Sequence, residues 1–415
     1  MAVSITASPA ETPYPAGQFL VFTLYDSATI PDKYIVEVMT STSTTSQGSV
    51  FAKFYLEPNS EDRAHFDISS LAKSKLEFPK TVEGGNVIHS HFDATNKYSV
   101  IDQSCVLKMT VRAGRYNNGT ETLNQDSEST YVLNGVEQLS KGYLPDFEAY
   151  LPAGVQYYAW LTDRLLDAPT GFNPKYRLSF DDEATACMLL PDNLTSRTGP
   201  TIMRLVAYKT GYSTQQIDID ISAAASTTVK DNFLVWNISP SRLDDYGVTN
   251  VDSVYAYAFA PRDTGNRGQA VQVEIYERPC KHDATQLAWV NSRGGWDYLR
   301  FDSRTPKNIA VTGKQYRKTV GTWGGASFDI SDNGRQYDIF AKTGKESYVL
   351  RELFFRAEDR ELLRYLMQSP YVEIRLGTGD WQPCVVKSNS ISIQPSGSQF
   401  YDVSVEVEIA NDIRC

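Results

Sequence analysis

The sequence predicts a mainly β protein: tandem antiparallel β-sandwich domains, then a C-terminal β domain carrying one short helix. Three observations lead there. Apolar residues alternate with polar ones, rich in β-branched and aromatic types, over 19–24, 34–39, 49–56, 105–113, 253–260 and 271–276, with Gly, Asn, Asp, Ser and Pro clusters between them at short intervals. The chain also echoes itself. Phe66-Asp67-Ile68-Ser69 is followed by Leu71 and Leu76, and Trp236-Asn237-Ile238-Ser239 by Leu243. In both, a strand meets a Ser suited to cap a helical turn. Finally, Tyr401, Val403, Val405, Val407 and Ile409 alternate with Asp402, Ser404, Glu406 and Glu408, the pattern of a half-buried last strand.

At 415 residues the chain exceeds the roughly 250–300 residues one core sustains. Gly142, Pro145 and Pro152 interrupt the pattern, and a second break falls over 302–313. The expected domains are 1–145, with a polar excursion over 78–96, then 146–302 and 315–415. Helices are expected only over 69–76, 240–245 and 356–369. The last rests on Leu362, Leu363, Leu366 and Met367 at helical spacing, with Pro370 as the stop. Phe328-Asp329-Ile330-Ser331 repeats the echo a third time without a helix after it.

A net charge of -10 argues against a surface built to grip nucleic acid. The densest basic cluster, Lys314, Arg317 and Lys318 around Tyr316, reads as a solvated strand face. Five scattered cysteines without a CxxC pair fit a reducing compartment. Residues 1–18 lack the basic start and apolar run of a signal peptide, and no stretch reaches the roughly 18 apolar residues of a membrane helix.

Chemistry-bearing patterns are few. His89, His91 and Asp93 would share one face of an extended strand, a spacing able to hold a metal, but no third histidine is near and the segment reads as a polar loop. No metal or other cofactor is expected. Asp181, Asp182 and Glu183 suggest a carboxylate pair for a hydrolase but read as an acidic turn, because adjacent residues point to opposite faces of a strand. Asp218 and Asp220 lack the glycine-punctuated loop of a calcium site. GxSxG, HExxH, Walker-type and dinucleotide motifs are missing, and the expectation is a protein without catalysis. Asn118, Asn193 and Asn237 match the glycosylation pattern by chance; Asn237 is expected to shape its strand-to-turn junction.

The segment from Trp289 to Phe301 carries the most weight. Trp289 and Trp296 flank a Gly-Gly turn, with Asn291 and Asp297 suited to satisfy backbone groups at the bend. An aromatic-lined hairpin is expected; the functional alternative is a sugar-stacking platform on Trp289 and Trp296. This Trp-x-Asn-x-x-Gly-Gly-x-Asp pattern, the β-rich region before it, and Leu-Arg-Tyr-Leu-Met-Gln-Ser-Pro at 363–370 together resemble virion structural proteins of tailed phages infecting Bacteroidetes, including crAss-like phages. The resemblance covers about residues 230 to 415. It implies a non-enzymatic, ring-forming neck, tail or baseplate component, made in the host bacterial cytoplasm and built into the virion as a homo-oligomer contacting portal, neck or tail proteins. No catalytic residues carry over. In that setting the final strand would offer an edge to neighbours, and an acidic surface would keep passing DNA from adhering. A carbohydrate-binding receptor module and a tail-associated hydrolase are the second and third expectations.

Overall fold

The computed structural model describes residues 3–9, 13–17, 19–41, 48–76, 88–89, 98–100, 106–135, 159–165, 174–189, 202–221, 233–262, 270–277, 284–330, 337–356, 360–387, 400–410 and 413–414. The chain is mainly β, in several sheets whose pairing is predominantly antiparallel. It divides into two compact units: residues 1–279 with 288–298 and 361–370, and residues 280–287 with 299–360 and 371–415.

The first unit holds two sandwiches on one plan. Its earlier sandwich opposes a three-stranded sheet, ordered Ser4–Ala7, Val21–Tyr25, Arg63–Asp67, to a five-stranded sheet, ordered Pro13–Pro15, Thr120–Leu133, Val106–Asn117, Lys33–Ser41, Ser49–Leu56. The later sandwich opposes Ala159–Trp160, Thr185–Leu189, Phe233–Asn237 to Lys175–Leu178, Val271–Ile275, Ala256–Arg262, Ile202–Tyr208, Gln215–Asp220. Counted along the chain, the first, third and sixth strands of each set make the small sheet, and the second, eighth, seventh, fourth and fifth make the large one. In both sets the second strand runs parallel to the eighth. A helical turn follows the sixth strand in both, Ser69–Lys75 in one and the 3-10 segment Pro240–Tyr246 in the other. The internal echo therefore marks a duplicated fold.

The four-residue echo makes the same junction twice, though not by the expected serine cap. Asp67 Oδ1 accepts the backbone N–H of Ser69 at 2.9 Å, and Asn237 Oδ1 that of Ser239 at 2.9 Å. The Asx side chain two residues earlier closes the turn. The helical segments begin without a side-chain cap bond in either copy. The Ile between the two residues is fully buried both times, and its N–H bonds to the neighbouring strand region at Leu20 O or Ala184 O. Ser239 Oγ instead accepts the N–H of Ala184 at 2.9 Å.

The earlier core packs Phe22 and Leu24 of the small sheet with Val36, Val38, Met109 and Val111 of the large one, and includes Ala72 of the helix. In the later core the Trp236 ring lies 5.6 Å from that of Phe259, itself 5.2 Å from Tyr246. One further strand crosses between the two copies: Tyr98–Val100 pairs with Phe233–Asn237, and the Tyr98 ring lies 5.2 Å from Trp236. The expected boundary at 145 falls between the two sets of strands, but the separation is incomplete, because one strand from before it completes a sheet after it. The polar excursion over 78–96 falls outside the described residues except for Ile88 and His89.

In the second unit the sheet is ordered Trp296–Phe301, Thr285–Val290, Val372–Leu376, Trp381–Val386, Phe400–Ile409, Tyr337–Arg356, Lys307–Arg317, with Ile413–Arg414 also pairing to Tyr337–Arg356. The base of the 285–301 hairpin belongs here and its tip, 288–298, to the first unit. The expected split at 302–313 therefore gives way to a division through a hairpin. Val403, Val405, Val407 and Ile409 are buried and Ser404 and Glu406 exposed, as their alternation required. That strand is not the expected edge: it lies between two others. Among the described residues the edge on that side is Lys307–Arg317, exposed along its whole length. The helix is Arg360–Gln368, and Arg356, expected as its first residue, is the last of the preceding strand. Leu362, Leu363, Tyr365 and Leu366 are buried on it.

Candidate functional site

The hairpin tip between Trp289 and Tyr298 is buried throughout. Asn291 builds its turn. The Asn291 carboxamide oxygen accepts the N–H groups of Arg293 and Gly295, both at 3.0 Å, and its NH2 donates to Leu161 O at 2.8 Å. Its backbone N–H closes the hairpin on Gly295 O at 2.9 Å. The two glycines are there for close approach. A Cβ on Gly294, whose φ is 83°, would stand 2.0 Å from Asn134 O, and one on Gly295 would stand 2.2 Å from Leu161 O. Asn134 follows the last strand of the earlier sandwich, and Leu161 follows the first strand of the later one. The tip therefore ties the end of one copy to the start of the next.

Asp297 anchors the later side. Its Oδ1 accepts Thr162 Oγ1–H at 2.5 Å and Tyr176 O–H at 3.2 Å, and its Oδ2 accepts the Asp163 N–H at 2.8 Å. Asp163 in turn takes the Ser292 N–H at 3.0 Å and the Ser292 hydroxyl. Burial pushes both carboxyls up, Asp163 to about 7, where the Asp297 charge adds to the effect and Ser292 and Arg293 oppose it. For Asp297 the chief opposing influence is the charge of Arg164. Arg164 donates to Tyr298 O at 2.8 Å and lies over the Tyr176 ring at 4.8 Å. Two buried acids are thus matched by two guanidiniums, one of them, Arg293, also buried. Every carboxylate oxygen of the pair accepts a bond from a neighbouring group of the chain.

The structure relocates the residues singled out in the sequence. Trp289 and Trp296 are both 0% exposed, so neither presents a ring face to a sugar, and the stacking platform is corrected to a pair of core indoles. His89 is also fully buried. Its Nδ1 shares a hydrogen bond with Tyr298 Oη at 2.7 Å, and its ring meets Trp296 edge-on at 4.5 Å. His91 and Asp93 lie outside the described residues. Among the described residues no three His, Cys, Asp or Glu side chains gather closely enough to hold a metal. Asp182 accepts the Ser179 N–H at 2.7 Å and is buried, while Asp181 is exposed. That is a turn. Asp218 forms an ion pair with Arg204 across two strands. Asn237 shapes its junction, with its backbone oxygen also accepting Tyr246 O–H at 2.9 Å. Asn118, at φ 49°, and Gly119, at φ 81°, make the two-residue turn joining Val106–Asn117 to Thr120–Leu133.

Nothing in the sequence marks Asp163, Thr162, Arg164 and Tyr176, the groups that surround Asp297. None belongs to a motif, and Asp163 stands 134 residues from Asp297 along the chain. Among the described residues no helix is long and apolar enough to cross a membrane.

No protein-family model matches the chain, and no curated protein does. Among solved structures, a marsupial T cell receptor aligns over 100% of this chain and 98% of its own, at 9% identity and a TM-score of 0.19. At that score the likeness carries no argument about fold or function.

Proposed function

We propose that this chain is a non-enzymatic structural protein of a tailed-phage virion, a ring-forming component of the neck, tail or baseplate. The observation that carries it is the ribbon of the second unit. Among the described residues Lys307–Arg317 is an edge strand of eleven residues, exposed at every position. An open edge of that length is a hazard in a protein that works alone and an asset in one that assembles. Closed rings arise when one surface of a subunit meets a different surface of the next around an axis. The buried tip is the complementary point. The residues most suggestive of chemistry, Trp289, Trp296, Asp297 and His89, are spent on internal packing and on joining two copies of one sandwich. The resemblance of 230–415 to virion proteins adds the setting: synthesis in a bacterial host and incorporation beside portal, neck or tail proteins.

Negative-stain microscopy of the purified full chain tests the proposal. Rings with a central hole are expected. Monomers at every concentration, with saccharide binding on a glycan array, would favour the carbohydrate-binding alternative and overturn the ring.

A further inference from the structure

We infer that the ribbon formed by Lys307–Arg317 and the facing part of Tyr337–Arg356 is the subunit contact itself, seated on an acidic, partly apolar cleft in the later sandwich of a second copy of this chain. The inference rests on the ring reading proposed above and names the two surfaces that would make it.

Register sorts the ribbon into faces. Ile309 lies opposite Glu346, Val311 opposite Gly344 and Gly313 opposite Lys342; past a bulge, Gln315 lies opposite Ile339 and Arg317 opposite Tyr337. Residues directly opposite in an antiparallel pair share a face, and alternate residues share it too. One face therefore carries Ile309, Val311, Ile339 and Tyr337, with Arg317 and Lys342 among them. The acid on this face, Glu346, is neutralised by its ion pair with Lys307 at 2.7 Å. Ile309 is 58% exposed, Val311 62% and Tyr337 53%, in a strand pair where polar residues would be expected on a solvated face. The other face holds Tyr316 beside Phe340, ring centroids 6.1 Å apart.

Charge says what covers the ribbon. Residues 307–317 and 337–348 contain five Lys or Arg against two Asp or Glu, a net of +3, which leaves 35 against 48 and a net of -13 for the rest of the chain. A basic apolar strand pair on a strongly acidic chain complements a second copy of that chain and would be steered toward it. The later sandwich offers a matching seat: a cleft lined by Phe180, Asp252, Val254, Tyr255, Ile275 and Glu277. Asp252 and Glu277 are exposed and supply its acid, and Tyr255, 54% exposed, supplies an apolar wall. Ribbon and cleft are different surfaces, so the contact is heterologous, the kind that generates a ring when its rotation closes.

Sedimentation velocity of the full chain, with far-UV circular dichroism as the folding control, tests the contact. Arg317→Glu with Lys342→Glu, and separately Asp252→Lys with Glu277→Lys, should each weaken association at least tenfold. All four together should restore it, and Ile309→Asp should weaken it without rescue by the cleft changes. The substituted residues lie on the surface, so the fold should survive. Assembly undiminished in the ribbon variants would overturn the contact while leaving the ring standing. Loss of assembly in the ribbon variants without rescue in the fourfold variant would overturn the cleft as its seat. A wild-type chain that stays monomeric would overturn both contact and ring.

Discussion

Asp297 accepts the backbone N–H of Asp163 at 2.8 Å, so one buried carboxylate fixes the peptide that carries another. The second carboxylate then holds Ser292 in the hairpin from which Asp297 itself comes. The two acids close a loop between hairpin tip and later sandwich, and each depends on the other's position.

This pairing makes stability depend on pH. Unfolded, Asp163 titrates near the ordinary value of about 4; folded, it is pushed up to about 7, first by burial and then by Asp297. Between those limits the folded state binds more protons than the unfolded one. The stabilisation is therefore complete below the unfolded value and is lost as pH rises through about 7. Urea midpoints measured from pH 5 to pH 8 should fall for the wild type and fall less for Asp163→Asn. Parallel curves would mean that Asp163 is ionised in the fold throughout.

Replacing Asp297 separates its charge from its geometry. Asp297→Ala strands the Asp163 N–H and the hydroxyls of Thr162 and Tyr176, and should cost about 3–5 kcal/mol. Asp297→Asn keeps an acceptor oxygen and should cost less than half as much. Equal losses in chemical denaturation would make charge, not hydrogen bonding, the dominant contribution.

The glycines of the tip give a sharper contrast. Gly294 and Gly211 both have φ of 83°, but a Cβ at 294 meets Asn134 O at 2.0 Å while one at 211 meets nothing within 4 Å. Gly211→Ala should cost only the left-handed backbone penalty, about 1–2 kcal/mol. Gly294→Ala adds a clash with backbone and should cost more than about 4 kcal/mol or prevent folding. Similar melting temperatures for the two variants would mean that the tip is not packed against residue 134.

Much of this architecture was legible in the sequence, and the reasons differ by element. Alternation placed the buried residues of the last strand because a half-buried strand has a period of two. The repeated Phe-Asp-Ile-Ser and Trp-Asn-Ile-Ser junctions pointed to the duplication, although the Asp67 and Asn237 side chains close the turns in place of the serine caps that the pattern suggested. The same local cue could not reveal that Tyr98–Val100 crosses to the second copy, since strand partners are chosen by tertiary packing. The tip followed a similar division. Asn291, Gly294 and Gly295 were readable as a turn, whereas Asp163, Thr162 and Tyr176 meet Asp297 only through the fold. Burial of Trp289 and Trp296 was invisible for the same reason: an aromatic pair reads alike whether it faces a core or a sugar.

Those indoles should behave as core residues. Trp289→Ala and Trp296→Ala each remove a fully buried ring and should cost about 3–5 kcal/mol. A glycan array should show no saccharide binding that either substitution weakens in a folded variant. Binding lost with the fold intact would restore the stacking platform.

Thiol chemistry probes both units at once without altering the chain. Cys187 is buried in the later sandwich and Cys384 in the sheet of the second unit, and burial pushes each thiol up to about 12. Alkylation proceeds through the thiolate, which at neutral pH is then scarce as well as shielded. Peptide mapping after iodoacetamide treatment of the native protein should find both residues unmodified, and both should react once urea unfolds the chain. The order in which they become reactive along a urea titration reports which unit opens first. Labelling of Cys187 in the native state would be the more damaging result, because its strand pairs with Phe233–Asn237 and its thiol is close enough to feel the Asp297 charge, so access there would require that cluster to be open.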